Sequence, residues 1–183
     1  MTNSQRIWES RWIRHGLVPL VFYGVATLLL TYPTVTQLGT HLPNKVHGDG
    51  FEAVRLIWWT KEAILRGIHP AYQPLLVYPE GFFSPVQWAN PLGHLAGVPW
   101  VLAFPPLVAY NLTFLSTWVL TGLAAYLFCW ELTRHQGGAL LGGLILMDFP
   151  TRQGHAVTGH LTLITNYWLM LYAWSLVRFW RQP

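Results

Sequence analysis

Long stretches without a charged side chain constrain this sequence more than any other feature. No Asp, Glu, Lys or Arg lies inside three intervals: Arg14 to Lys45, Glu80 to Glu131, and Arg152 to Arg178. A soluble domain of this length cannot bury such runs, because its core segments have to alternate with a hydrated face. Charged residues make up only 10% of the chain and apolar residues 52%, which also excludes a disordered chain and a nucleic-acid-binding module. The sequence therefore predicts an all-α integral membrane protein.

Four apolar segments are predicted to cross the membrane. They are residues 17–36, 107–130, 137–149 and 161–177. The third is short for a hydrocarbon core of about 30 Å, so it needs a locally thinned bilayer or flanking residues. It also carries the small-residue pairs Gly138/Gly142 and Ala139/Gly143, a spacing that lets helices approach closely.

The basic residues set the expected orientation of these spans. With four crossings, the arginines of the N-terminal segment 1–16, Arg134, and the pair Arg178 and Arg181 all fall on one side, which the positive-inside rule places in the cytoplasm. No small-residue cleavage site follows the first span, so we expect an uncleaved anchor. Residues 37–106 and the turn before residue 161 then face the outer side.

The long outer loop, residues 37–106, is predicted to contain two membrane-associated elements. Residues 51–66 have polar side chains at helical spacing, which is typical of an amphipathic helix lying on the membrane surface. Gly67 and Pro70 end that helix. Residues 92–104 are apolar but too few to cross, so we expect a re-entrant or interfacial piece. The proline-rich segment between them is predicted to be an extended or turning loop.

Asp49 is the main candidate for catalysis. It lies in Gly48-Asp49-Gly50, where small neighbours would let a carboxylate approach a substrate closely. The alternative is purely structural, because Asp49 and Glu52 have the spacing of a helix capping box. Both interpretations stay open on the sequence alone.

Further polar residues of the outer side are candidates for binding substrate. They are Glu52, Arg55, Tyr78, Glu80, Arg152, His155 and His160. An arginine with two histidines suits an anionic headgroup such as a phosphate. Ordering of a turn or a short loop is the structural alternative for Glu80 and for the arginine and histidines.

Metal and cofactor motifs are lacking in the sequence. His155 and His160 are five residues apart, which is wrong for a pair of ligands on one helix face. Together with His94 they make a poor pattern for haem, which needs axial histidines at matching depth. We therefore expect no cofactor and no metal site, and a divalent metal is not indicated.

The order of several short motifs resembles the N-terminal part of the GT-C superfamily of polytopic membrane glycosyltransferases. The motifs are Thr31-Tyr32-Pro33, Gly48-Asp49, Leu56-Ile57-Trp58-Trp59, Tyr78-Pro79-Glu80-Gly81, Ala109-Tyr110-Asn111-Leu112, Pro150-Thr151-Arg152, His155 and Gly159-His160-Leu161. The resemblance implies an acidic residue in the first outer loop that acts as base or ligand, and only Asp49 matches it. Such enzymes have eight or more spans and often a D-x-D metal motif, whereas position 51 is Phe here. A fragment, a split gene product and a non-catalytic subunit are therefore alternatives.

The resemblance implies transfer of a sugar from a polyprenyl-phosphate donor on the outer face of a bacterial inner (plasma) membrane. The expected partners are membrane lipid, that donor and other membrane subunits, with no nucleic acid. An accessory subunit of a larger membrane complex and a small carrier are the other functions considered. For an enzyme, we predict that one outer cavity brings together five residues: Asp49, Glu80, Arg152, His155 and His160.

Overall fold

The computed structural model describes residues 13–85 and 88–181, and they are mostly helical. The helices are α1 (Val18–Leu30), α2 (Gly50–Arg66), α3 (Leu92–Ala103), α4 (Pro106–Thr133), α5 (Gln136–Met147), α6 (Pro150–Thr158), α7 (Leu161–Ile164) and α8 (Tyr167–Arg181). A π-helical turn, Ile13–Leu17, leads into α1, and Thr34–Thr36 forms a 3-10 turn. Most of the N-terminal segment 1–16, which is predicted to be cytoplasmic, lies outside the described residues.

Within residues 13–85 and 88–181, two helices are long and apolar enough to cross a membrane. They are the continuous helical segment Ile13–Leu30 and α4. The first crossing was predicted over 17–36, but its helix ends at Leu30, shortly before Pro33, whose ring disfavours a helical conformation of the preceding residue. Helix α4 extends the predicted 107–130 at both ends. A membrane protein with two candidate crossing helices is the part of the prediction that the structure supports.

The other two predicted crossings differ from the structure. Helix α5 covers twelve residues, Gln136–Met147, which is too short to cross an ordinary bilayer. The predicted helix over 161–177 is wrong as a single element, because it is interrupted at Thr165 and Asn166 between α7 and α8. The Thr165 hydroxyl donates to the Leu161 carbonyl oxygen at 2.7 Å, a local bond of the kind that competes with helix continuation. The four-crossing topology and its orientation stay predictions.

The chain divides into two compact units. One comprises the described parts of residues 1–32, 115–149 and 166–183. The other comprises residues 33–114 and 150–165, so it contains α2, α3, α6, α7 and the start of α4. All of the candidate site residues belong to this second unit.

In the first unit, Tyr23 packs α1 against α5. The Tyr23 side chain is fully buried, and its hydroxyl donates to the Leu140 carbonyl oxygen at 3.0 Å. Ala139 is also fully buried, and a Cβ added at Gly143 would collide with the Tyr23 hydroxyl. This confirms that the Ala139/Gly143 pair allows close helix packing.

In the second unit, helix α2 packs along α3. The predicted helix 51–66 is confirmed, and Gly67, with a φ of +66°, ends it. Its Ile57 is fully buried, and a Cβ added at Gly97 of α3 would lie 2.8 Å from that side chain. Part of the apolar face that was expected to contact lipid is therefore covered by α3. The predicted re-entrant piece 92–104 is this one helix, α3, followed by extended backbone at Phe104.

Between α2 and α3 the chain forms a small β-ribbon in place of an irregular loop. Strand β1 (Tyr72–Gln73) pairs antiparallel with β2 (Phe82–Phe83). Gln73 is buried and accepts a hydrogen bond from Arg55 of α2, which ties the ribbon to that helix.

Candidate functional site

Asp49 is held in place by backbone hydrogen bonds between the loop before α2 and the end of α6. The Asp49 amide donates to the Thr158 carbonyl oxygen at 2.8 Å, and the Lys45 amide donates to the Val157 carbonyl oxygen at 2.9 Å. These bonds join segments more than a hundred residues apart in the sequence. They fix the backbone on both sides of the site.

Two glycines, Gly48 and Gly159, allow the loop before α2 to pack closely against the end of α6. A Cβ on Gly48 would lie 2.5 Å from the Thr158 carbonyl oxygen. Gly159 has a φ of +82°, and a Cβ there would collide with the Asn44 side chain and lie 2.5 Å from the Gly50 nitrogen. The small residues around Asp49 therefore allow the loop to contact α6, which differs from the predicted role of opening a path for substrate.

The Asp49 carboxylate pairs with His160. Its Oδ2 lies 3.2 Å from His160 Nε2, and the Asp49 side chain is 69% exposed. Asp49 occupies the N-cap position of α2, but its side chain makes no hydrogen bond to the described amides of the first turn. The capping-box interpretation is therefore wrong: Glu52, its supposed partner, instead forms a salt bridge with Arg55.

The turn that ends α6 brings His155 and His160 together. The Gly159 amide donates to the Ala156 carbonyl oxygen at 3.2 Å and the His160 amide to the His155 carbonyl oxygen at 3.0 Å, the paired bonds of a glycine C-cap. This turn places the two Nδ1 atoms 3.0 Å apart. Spacing along one helix had argued only against a two-histidine metal clamp, and it is the reversal of the chain at Gly159 that brings the two rings together.

The contacts of His160 assign different roles to its two ring nitrogens. If Nε2 carries the proton and donates to Asp49, Nδ1 is an acceptor. Two groups are within hydrogen-bond distance of that acceptor, His155 Nδ1 at 3.0 Å and the Thr158 hydroxyl at 3.2 Å. His155 and Thr158 thus keep His160 oriented toward Asp49.

A cavity of about 360 Å³ opens beside this pair, and we call it the inner cavity. Its polar lining residues are Asp49, Glu52, Asn90, His94, His160 and Thr162. Helices α2 and α3 form two of its walls, and the segment after Gly159 forms a third. The volume is at the lower end of the range for small-molecule sites.

The inner cavity holds one ionised carboxylate and one neutral imidazole besides the Asp49–His160 pair. Hydrogen bonding to Arg55 lowers the pKa of Glu52 below its usual range, so Glu52 is charged at neutral pH. His94 is only 4% exposed, and this burial lowers the pKa of its imidazole to about 4 although the Glu52 charge acts in the opposite direction. His94 is therefore neutral at physiological pH.

A second concavity, the Lys45 cleft, lies on the other side of the Asp49–His160 pair. It has a volume of about 260 Å³ and is lined by Lys45, Val46, His47, Gly48, Asp49, Thr158 and His160. Asp49 and His160 are the titratable residues that line both concavities. The pair thus stands between a polar cavity and a cleft that contains a cationic side chain.

Five predicted site residues line neither concavity, and two of them, Arg55 and His155, adjoin the inner cavity only through Glu52 and His160. Arg152 is 3% exposed, and its guanidinium donates to the Ile164 carbonyl oxygen at 2.5 Å, which links α6 to α7. Burial lowers the pKa of Arg152 to about 10, so it remains charged. Tyr78 is 82% exposed, and Glu80, also exposed, accepts a hydrogen bond from the Tyr72 hydroxyl through its backbone oxygen. Of the five residues expected around one cavity, Asp49 and His160 line it, and His155 adjoins it through His160.

The sequence reasoning did not assign Lys45, Asn90 or His94 to the site. A single histidine in an apolar helix and an asparagine in a turn carry no local signature of ligand binding. The glycine C-cap at Gly159 was the one signal that could have placed His155 against His160. Within the described residues, no group of three or more His, Cys, Asp or Glu side chains is arranged to hold a metal ion.

Comparison with known proteins adds no relative to this description. No protein-family model, no curated protein sequence and no solved structure matches the chain.

Proposed function

We propose that the chain is a membrane glycosyltransferase that moves a sugar from a polyprenyl-phosphate donor to an acceptor hydroxyl on the outer membrane face. The observation that carries this proposal is the Asp49–His160 pair, with 3.2 Å between carboxylate and imidazole, at the boundary of the inner cavity and the Lys45 cleft. The two helices long enough to cross a membrane are consistent with a lipid-linked substrate.

Asp49 is the proposed general base. Its exposed carboxylate is accessible to an acceptor, and the bond from His160 Nε2 orients it. In the transfer, the acceptor hydroxyl gives its proton to Asp49 while its oxygen bonds to the anomeric carbon of the donor. The bond between that carbon and the phosphate oxygen breaks, and polyprenyl phosphate leaves with the electron pair.

The Lys45 cleft is the proposed site of the donor phosphate. Lys45 carries a positive charge there, and His47 adds a nitrogen donor, so the cleft can stabilise negative charge on the leaving group. The sequence had suggested Arg152 for this role. Because the Arg152 guanidinium is buried against the Ile164 carbonyl oxygen, we assign the role to Lys45 instead.

The test is a transfer assay with the purified chain in lipid vesicles. A panel of undecaprenyl-phosphate hexoses serves as donors, and release of undecaprenyl phosphate is measured by mass spectrometry. Asp49→Asn should lower the rate by about 10²- to 10⁴-fold, the usual contribution of a general base. His160→Gln should lower it less, because the carboxylate remains.

Glu62→Gln is the matched control, because it also converts a carboxylate to an amide. Glu62 lies on α2, the helix whose N-cap is Asp49. Glu62 pairs with Lys61 and Arg66 and lines neither concavity. Its variant should keep the wild-type rate. A wild-type rate in Asp49→Asn would remove Asp49 as the base. Absence of release from every donor, together with copurification of further membrane subunits, would favour the accessory-subunit alternative.

A further inference from the structure

His94 is a buried polar side chain on the wall of the inner cavity. It lies on α3, is 4% exposed, and makes no hydrogen bond to any described residue, its Nδ1 being sealed from solvent. Buried polar groups are nearly always hydrogen-bonded, because an unsatisfied one costs about 1–3 kcal/mol. A histidine kept at a cavity wall without a partner among the described residues points to a partner that enters the cavity.

The protonation state of His94 limits what that partner can be. The imidazole is neutral near pH 7, because burial lowers its pKa to about 4, so it offers one N–H donor and one lone pair. An orphaned N–H is rarer in proteins than an orphaned acceptor, so the lone pair belongs at the sealed Nδ1. Nε2–H is then the donor available to a ligand.

The neighbours of His94 in the cavity favour hydroxyl groups over an anion. The Glu52 carboxylate accepts hydrogen bonds only and is kept charged by Arg55, so it would repel a phosphate or a carboxylate. The Asn90 amide adds a further polar group on the same lining. A neutral donor beside a charged acceptor matches an alcohol, which donates and accepts at one oxygen.

We propose that His94 and Glu52 form a hydroxyl-recognising subsite for a polyhydroxylated ring, the sugar of the acceptor. This inference rests on the proposed function, because it places the acceptor next to Asp49, which lines the same cavity. It also assigns opposite chemistry to the two concavities: neutral hydroxyl groups bind in the inner cavity and the donor phosphate in the Lys45 cleft.

Calorimetric titration of the detergent-solubilised chain tests the subsite without any turnover. The probes are the methyl glycosides of glucose, mannose, galactose and arabinose, with inorganic phosphate as the anionic comparison. At least one glycoside should bind, and His94→Leu should weaken its affinity by about ten- to a hundredfold. His94→Gln should retain more affinity than His94→Leu, because its amide restores a donor. Phosphate affinity should be the same in all three proteins.

Two outcomes would overturn the subsite. One is that no glycoside binds the wild-type chain, and the other is that His94→Leu binds it as tightly as the wild type does. If His94→Leu does not fold, the test uses His94→Gln and Glu52→Gln. A glycoside that binds both of these variants as tightly as it binds the wild type would count against the subsite. The proposed function can fail separately from the subsite. If it is right, Asp49→Asn should lose sugar transfer and keep glycoside binding. Glycoside binding that depends on His94, in a wild-type chain that transfers no sugar, would refute the proposed enzyme but not the subsite.

Discussion

Replacing Gly159 by Ala tests whether the close approach at the end of α6 builds the Asp49–His160 pair. The substitution adds one methyl group at a position with a φ of +82°. That methyl would meet the Asn44 side chain and would lie 2.5 Å from the Gly50 nitrogen, which belongs to the backbone at the start of α2. Because backbone cannot rotate away, the loop that carries Asp49 has to move.

The expected cost combines backbone strain with overpacking. A left-handed conformation costs a non-glycine residue about 1–2 kcal/mol, and an extra methyl in a packed site costs about 1–3 kcal/mol. Asn44 also donates to the Tyr110 hydroxyl at 3.0 Å, a bond that is lost if its side chain is displaced. We expect Gly159→Ala to lower the free energy of unfolding by about 3 kcal/mol or more, which lowers Tm by on the order of 10 °C.

Two other glycines separate these contributions. Gly67 has a φ of +66° with no atom within 4 Å of its added Cβ, so Gly67→Ala should cost only the backbone strain, about 1 kcal/mol. Gly154 lies inside α6 with equally open surroundings, so Gly154→Ala should stabilise by up to about 1 kcal/mol. Thermal unfolding in detergent, followed by tryptophan fluorescence, measures all three. If Gly159→Ala is no less stable than Gly67→Ala, steric contact does not shape the site.

Two further substitutions test buried hydrogen bonds. Asn111 is fully buried and donates to the carbonyl oxygens of Leu38 and His41, both at 2.8 Å, so Asn111→Leu should cost about 2–4 kcal/mol in denaturant unfolding by leaving both acceptors unsatisfied. Tyr23→Phe removes one hydroxyl, which donates to the Leu140 carbonyl oxygen at 3.0 Å and shares its proton with the Ala139 carbonyl oxygen at 3.4 Å, and should cost about 1 kcal/mol in the same measurement. An equal cost for both variants would contradict the argument that Asn111 satisfies two buried acceptors while Tyr23 supplies a single donor.

Local patterns in the sequence predicted several helices and their ends. The helix over 51–66 follows from its polar spacing, and Gly67 ends it through the positive φ that glycine tolerates. The longest charge-free run, residues 81–130, contains all but the last three residues of α4, as expected for a helix that needs no hydrated face in a membrane. These features depend on residues only a few positions apart.

The break between α7 and α8 and the helix α6 were not predicted, although both have local causes. Apolar composition over 161–177 hides the Thr165–Asn166 pair, whose side chains compete for backbone hydrogen bonds. Helix α6 has a proline at its first residue, Pro150, and Gly159 just after its end, which is the usual asymmetry of helix termini. Hydropathy outweighs these signals, because the segment lies between two apolar runs and is therefore predicted to be a turn between spans.

Much of the candidate site was beyond sequence reasoning for a different reason. Asp49 could be singled out by its glycine neighbours, but its partner His160 lies more than a hundred residues later. Which loops pair depends on the packing of α2, α3 and α7 around the cavity, and no local periodicity encodes that packing. His94 is a candidate because of its burial and its lack of a hydrogen-bond partner in the described part of the chain, neither of which the sequence reveals.

His94 should also make the stability of the chain depend on pH. Its folded pKa of about 4 lies below the ordinary value near 6.5, so between these values the unfolded chain binds a proton that the folded chain does not. The stabilisation is therefore complete above pH 6.5 and is lost as the pH falls toward 4. Because a pKa difference of one corresponds to about 1.4 kcal/mol, the free energy of unfolding should be about 3 kcal/mol lower at pH 4 than at neutral pH.

The measurement compares wild type with His94→Leu by denaturant unfolding in detergent between pH 7.5 and pH 4. Leucine cannot be protonated, so the stability difference between the two proteins should shift in favour of the variant by about 3 kcal/mol over this range. The other charged groups that act on His94, Glu52 and Arg55, are present in both proteins, so their contributions largely cancel in the difference. His41→Gln, at an exposed histidine, is the control and should follow the wild type. A difference that stays constant from pH 7.5 to pH 4 would show that His94 is not buried as a neutral imidazole, and the donor assigned to the inner cavity would be lost with it.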